Sequence, residues 1–315
     1  MDYIGLAKNN KQYANLLSLF EKNRLSHVCL LVSSDALLTE AICYALAAAI
    51  TKADITRISK KNHPDVFIYG DNGKIDVANV TEIIETLAIR PYSASNKIYI
   101  LLGAENMNEA SQNKLLKSLE EAPRDVIFLL SATSTKNILP TVLSRSTEYK
   151  IDNLTNDQIY DLLVGDGVKT SWAEIAVSCA GGNSTLARKL TTDAFVELYK
   201  NVLEMLENVN GSKDCLAFAH KFDAKSINKR EVLDICLLLV RDVAMINSGA
   251  QELVINKHHA DELKSIAEKL NLQACTKIME TCIKLKQDLV FNTSGTMVVD
   301  KLVLTIAEEK TKCRK

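Results

Sequence analysis

The chain has 315 residues, 47% of them hydrophobic and 24% charged, with a formal net charge of −1. A single core rarely grows to that length, so two or three domains are expected. The composition excludes a disordered chain, and the near-zero charge excludes a global basic field for nucleic acid. The cysteines Cys29, Cys43, Cys179, Cys215, Cys236, Cys275, Cys282 and Cys313 are scattered, with no CxxC pair. That points away from zinc and toward buried free thiols in a reducing cytosol. The N-terminal MDYIGLAKNNKQYA lacks a leader pattern, and the apolar run around 45–50 falls far short of the ~20 residues of a membrane span. A soluble cytoplasmic protein with no membrane partner is expected.

In chain order, Val28–Val32 is a continuous apolar run of strand length, followed by a helical stretch from Leu38 to Ile50. Asp65–Tyr69 is a second strand candidate. Val77, Val80, Ile83, Ile84 and Leu87 then fall on one helical face. Ile98–Leu102 is a third strand, Ser111–Glu121 a helix with Leu115, Leu116 and Leu119 inward, and Val126–Leu130 a fourth strand. Glu148–Ile151 is a fifth candidate. Continuous apolar strands alternating with amphipathic helices predict an α/β fold, a parallel sheet covered on both faces. Ligands of such sheets lie beyond the carboxyl ends of the strands, here just after Val32, Leu102 and Leu130. After Ile151 the strand signal stops. Thr155 and Gln158 have capping-box spacing before Ile159, Leu162 and Leu163, and a second helix runs from Ser171 to Cys179. Gly181-Gly182-Asn183 breaks the chain, and the pattern from Phe195 onward is helical, with breaks at Gly211, Gly249 and Gly295.

Residues 113–123 (NKLLKSLEEAP), the strand that follows, and residues 131–146 (SATSTKNILPTVLSRS) resemble the clamp-loader branch of the AAA+ family in order and spacing. Residues 24–27 (RLSH), 62–66 (NHPDV) and 96–100 (NKIYI) extend the resemblance, as does, weakly, 291–294 (FNTS). It is strong over 1–150, moderate over 151–205 and mainly architectural beyond. It implies a RecA-like AAA+ domain at 1–152, a helical lid at 153–204 and a helical collar at 205–315.

A P-loop needs glycines to wrap phosphates, a lysine for their charge and a hydroxyl for Mg²⁺. Aligned from His27, the three glycine positions fall at Ser33, Ala36 and Leu38, the lysine at Thr39 and the hydroxyl at Glu40. Asp35 and Glu40 add negative charge there. At ~4 Å and an effective dielectric near ~20, each like-charge contact costs about 4 kcal/mol. The third strand runs into Leu102 and Gly103 in place of a Walker B acidic pair, with Glu105 two residues late. The sensor-2 arginine of active members falls at Thr185, and Thr133, at the sensor-1 position, is expected to be structural. No bound nucleotide or other cofactor is expected.

Arg145, framed by Ser144 and Ser146, survives. In the family this arginine projects into the ATP site of the next subunit, where a guanidinium stabilises the γ-phosphate as charge builds. The alternative is an arginine that only packs at a strand end. The family's four-cysteine zinc module is absent between Ala45 and Asn62. His27 and His63 are expected to hydrogen-bond structurally, and His258 and His259 to be solvated. Lys114 and Lys117 are expected on the solvent side of their helix, either as an ordinary polar face or as contacts to DNA phosphates. The resemblance thus implies a delta-prime-like, non-ATPase stator of the bacterial DNA polymerase III clamp loader. It would assemble with gamma/tau ATPase subunits and delta, and act on the sliding clamp and primed DNA. An active gamma/tau-type ATPase and a pure contact adaptor are the rivals.

Overall fold

Apolar runs such as VCLLV and VIFLL carry no polar face to turn toward water, so their strands must be covered on both sides. The computed structural model describes residues 3–224, 227–290 and 295–314. Val28–Val32 (β1), Val66–Tyr69 (β2), Lys97–Leu101 (β3), Val126–Ala132 (β4) and Thr147–Lys150 (β5) form one sheet in the order β2-β3-β4-β1-β5, every neighbouring pair parallel. The expected five strands are present within two residues at each end. β4, flanked by β1 and β3, is buried throughout, whereas the edge strand β5 is largely exposed.

Helices precede and link the strands: Tyr3–Lys8 (α1), Lys11–Glu21 (α2), Ala36–Thr51 (α3), Ile55–Ser59 (α4), Val77–Leu87 (α5), Glu109–Glu120 (α6) and Pro140–Leu143 (α7). On one face, Val28, Leu30, Tyr99, Leu101, Phe128 and Leu130 pack with Val80 and Ile83 of α5 and with Leu115 and Leu119 of α6. The alternate residues Cys29, Leu31, Ile98, Ile100, Ile127 and Leu129 are equally buried, on the face that α3 covers. The expected α5 stripe is narrower than its spacing suggested, since Val77 and Ile84 stay more than a third exposed. Register aligns Phe67, Tyr99 and Phe128 across β2, β3 and β4, and their rings stack at 5.2 Å. Each such pair adds about 0.5–1.5 kcal/mol beyond area burial. Gly70, at φ +86°, lets the chain pass Leu102, whose carbonyl oxygen would lie 2.1 Å from any added Cβ.

Asp65, buried at the start of β2, ties down the loop before β3. Its carboxylate accepts from the backbone N–H groups of Tyr92 (2.5 Å), Ser93 (2.7 Å) and Ala94 (2.8 Å) and from the Ser93 hydroxyl (2.9 Å). Burial pushes this carboxyl up, but those donors outweigh it and hold it below the usual carboxylate range. Stability from a depressed carboxyl is present above its unfolded pKa and is lost as pH falls through the folded value. Asp65→Ala is therefore expected to cost about 2 kcal/mol at pH 7 and to blunt the loss of stability on acidification. Thermal melts at neutral and acid pH check this; an unchanged melt would mean that the loop holds itself.

Asn156–Gly165 (α8), Thr170–Ala180 (α9) and Ser184–Lys189 (α10) follow the sheet. The capping box is formed: Thr155 Oγ1 accepts from Gln158 N at 3.3 Å and Gln158 Oε1 from Thr155 N at 2.9 Å. The chain divides into two compact units, 1–188 and 189–315. The second unit carries Asp193–Asn208 (α11), Ser212–Phe222 (α12), Lys229–Asn247 (α13), Ala260–Ala267 (α14), Leu272–Val290 (α15) and Gly295–Cys313 (α16), with no strand among the described residues. The position 204/205, expected to divide lid from collar, lies within α11. Gly211, Gly249 and Gly295 lie at helix ends as expected, while the 291–294 motif lies outside the described residues.

All eight cysteines are free thiols, six of them buried. His27 Nε2 bonds the Leu119 carbonyl at 2.9 Å, and His63 Nδ1 accepts from Asp65 N at 3.2 Å. His259 is not solvated as expected: it meets Glu262 Oε1 at 3.3 Å and packs 5.4 Å from the Tyr199 ring. No helix among the described residues is long and apolar enough to cross a membrane, and no group of three or more acidic, His or Cys side chains there could hold a metal.

Candidate functional site

The parallel topology brings the loops after β1, β3 and β4 to one edge of the sheet, because β4 lies between the other two. The β1–α3 loop occupies the place of the P-loop. Asp35 is fully buried in it and caps α3, its Oδ1 accepting from Leu38 N at 3.2 Å. The same carboxylate accepts from Ser184 N at 2.5 Å, from Thr185 N at 3.3 Å and from the Thr185 hydroxyl at 2.7 Å. Leu37 N donates to Thr185 Oγ1 at 2.9 Å, and Asn183 Nδ2 to the Ser34 carbonyl at 2.8 Å. The Ser34 hydroxyl donates to Asn153 Oδ1 at 3.1 Å. Gly182, at φ +84°, lets the chain pass Leu154, whose carbonyl oxygen would lie 2.6 Å from any added Cβ. The first N–H groups of a helix are the ones that face an anion when a phosphate sits at its start. Here those of Leu37 and Leu38 already have acceptors from the chain itself.

Of the other P-loop positions, all but Ala36 are buried or partly buried. Ser33 is buried, its hydroxyl accepting from Asp35 N at 3.2 Å. Leu38 and Thr39 are buried in the packing of α3, and the Thr39 hydroxyl donates within the helix to the Ala36 carbonyl at 2.9 Å. Ala36 is exposed without a polar group to offer. Glu40 is partly buried and accepts from the Tyr3 hydroxyl at 3.3 Å. Burial pushes its carboxyl above the usual range, against bonds from Tyr44 and Tyr3 that lower it.

At the end of β3, Leu102 N donates to the Tyr69 carbonyl at 2.9 Å and Gly103 N to Ser131 Oγ at 3.2 Å. Glu105 does not rejoin a Walker B position. Its Oε1 accepts from the Thr133 N–H at 2.8 Å and hydroxyl at 2.5 Å, while its buried Oε2 has no hydrogen-bond partner among the described residues.

Arg145 lies just after α7. Its Nε and Nη2 donate to Glu120 Oε2 at 3.2 and 3.0 Å, and Nη1 to the Thr141 carbonyl at 3.1 Å. The side chain remains one-third exposed. The framing serines fold back on α7: Ser144 Oγ donates to the Thr141 carbonyl and Ser146 Oγ to that of Val142. A guanidinium has five N–H bonds, so hydrogens on Nη1 and Nη2 remain for an outside acceptor. Lys114 Nζ donates to Thr81 Oγ1 at 2.6 Å, and Lys117, 82% exposed, lies 3.8 Å from Glu121.

Two residues of this edge carry more than their sequence context suggested. Gln112 is buried, its Nε2 donating to the Met107 and Asn137 carbonyls and its Oε1 accepting from Leu139 N, which joins α6 to the segment before Arg145. It falls on the Leu115–Leu119 stripe, and a polar residue on an apolar stripe is the signal that marks it. Asp35, treated above as misplaced charge, is also an acid directly before a helix, which is an N-cap signal.

A family model described as "DNA polymerase III, delta subunit" matches residues 8–155, and one described as "DNA polymerase III, delta subunit, C terminal" matches 193–305. The chain is 24% identical over 310 residues to DNA polymerase III subunit delta′ of Bacillus subtilis, covering 93% of this chain and 94% of that one. It is 32% identical over 145 residues to subunit delta′ of Haemophilus influenzae, 45% of this chain and 44% of that one. To DNA polymerase III subunit gamma of Buchnera aphidicola subsp. Schizaphis graminum it is 25% identical over 264 residues, covering 74% and 72%. With both halves matched by models of one subunit, the chain belongs to the DNA polymerase III delta-subunit family, the clamp-loader family its motifs resemble.

Proposed function

We propose that this chain is a delta-prime-like, non-ATPase subunit of the bacterial clamp loader, acting in the cytoplasm with gamma/tau and delta. It supports loading of the sliding clamp onto primed DNA and lends Arg145 to a neighbouring gamma/tau ATP site. The carrying observation is the β1–α3 loop: its leading N–H groups are bonded to Asp35 and Thr185, and no lysine stands at Thr39 to meet a phosphate. The partly exposed Arg145, with N–H bonds to spare, supports the second half. Lys117, highly exposed in its pair with Glu121, and less so the engaged Lys114, is the side chain on α6 offered to a DNA phosphate.

The test is ATP binding by the isolated full chain, followed by calorimetry with Mg²⁺ present. No saturable heat is expected, and micromolar affinity would overturn the proposal in favour of an active gamma/tau-type ATPase. One observation favours an alternative. Arg145 is paired with Glu120 inside its own chain, as a residue of a pure contact adaptor would be. The Arg145 substitution described in the Discussion separates the two.

A further inference from the structure

We infer that Asp35 is a built-in anion: its carboxylate takes the phosphate end of the vestigial nucleotide cradle and holds the 181–188 segment on the sheet whether or not nucleotide is present. The inference deepens the non-ATPase proposal and rests on it for the identity of the cradle. The bonding itself is independent of that identity.

An ordinary N-cap explains one of the four donors, Leu38 N. The other three, Ser184 N, Thr185 N and the Thr185 hydroxyl, come from about 150 residues further along. They converge on a side chain with no exposed surface. Both oxygens are used, Oδ2 by Ser184 and Oδ1 by Leu38 and Thr185. A buried carboxylate is costly unless hydrogen-bonded, and one bonded on both oxygens from two directions is a clamp rather than a cap. Around it, the Asn183 amide donates to the Ser34 carbonyl and Leu37 N to the Thr185 hydroxyl, a second set of bonds between the same two segments. A nucleotide in such a place binds and leaves, and the segment that touches its phosphates can move with it. A carboxylate supplied by the chain does not leave. The device therefore fixes in one position a joint that a bound phosphate would make conditional.

Hydrogen–deuterium exchange by mass spectrometry on the full chain tests this. In the wild type, peptides covering 181–188 should exchange slowly and identically with and without Mg·ATP. Asp35→Ala should speed exchange across 181–188 by about 10²-fold, with β4 peptides unchanged. Equal exchange of 181–188 in variant and wild type overturns the clamp, as does an equal acceleration in β4. If Asp35→Ala does not fold, Thr185→Val keeps the carboxylate and removes one of its donors, together with the acceptor of Leu37 N. It should then give a smaller rise, about 10-fold, confined to 181–188, and no rise there overturns the inference. The two proposals fail separately. Protection of 33–40 by Mg·ATP in the wild type removes the non-ATPase assignment, whereas an insensitive Asp35→Ala removes only the clamp.

Discussion

Replacing Arg145 with Ala, in a complex reconstituted with gamma/tau and delta, is expected to slow hydrolysis at one ATP site by about 10³-fold. An arginine supplied in trans stabilises the charge that gathers on the γ-phosphoryl oxygens and is worth ~10³–10⁵ in rate, so the lower end is about 4 kcal/mol of transition-state stabilisation. The interaction grows in the transition state, and ATP affinity should change little. One chain offers one arginine, so the loss is confined to one of the ATP sites. In a single-turnover measurement of phosphate release with primed DNA, that site's share of the burst disappears. Steady-state turnover falls by the same share if sites fire independently, and nearly to zero if they fire in sequence. Arg145→Lys should recover little, because an ammonium keeps the charge but loses the planar fork. Glu120→Ala supplies the complementary result. Glu120 holds Nε and Nη2, leaving outer N–H bonds exposed. If it orients the fork, Glu120→Ala lowers the burst rate and Glu120→Gln restores most of it. An intact burst from Arg145→Ala, with the complex intact by size-exclusion chromatography, would make the chain an adaptor.

The second large effect is on the stability of the C-terminal unit. Lys310 on α16 is almost fully buried, its Nζ donating to the Glu207 carbonyl at 3.1 Å. Burial, reinforced by Lys269 and Arg314, pulls its pKa down to about 8, against Glu207 and Asp214, which raise it. A base with a folded pKa below its unfolded one destabilises the fold. The penalty is full below the folded pKa of about 8 and fades as pH rises toward the unfolded value near ~10.4. Lys310→Met should therefore stabilise this unit by about 2–3 kcal/mol at pH 7, the gap closing by pH ~10. The Glu207 carbonyl keeps a partner, Lys269 Nζ at 3.3 Å, so the substitution leaves no orphaned acceptor. Denaturant unfolding of both proteins at several pH values is the measurement, and the difference between them is the readout. The wild-type curve alone is expected to fall over the same range, because buried thiols such as Cys275, pushed up to about 12 by burial, keep protons that the unfolded chain releases. A difference independent of pH would mean that Lys310 is hydrated.

What the sequence determined by itself is the part that depends on neighbours within a turn or a strand. The runs at β1, β3 and β4 are apolar without alternation, and that dictates a sheet covered on both faces. Thr155 and Gln158 announce their capping box by spacing, and Leu115 and Leu119 announce the buried face of α6. The ordered motifs from Asn113 to Ser146 carried family membership, because a spaced string of residue types survives where overall identity is low. Only the tertiary structure decided what those residues bond to. Asp35 was legible as charge unwelcome to phosphate, but not as the acceptor of Ser184 and Thr185, 149 and 150 residues away. Asp65 and the Tyr92–Ala94 amides, Gln112 and Leu139, and Glu120 and Arg145 are likewise invisible to periodicity. The physical reason is the same each time. Hydrophobic period and helix caps are set by local geometry, whereas a buried polar group must be satisfied by whichever loop the sheet topology carries to it.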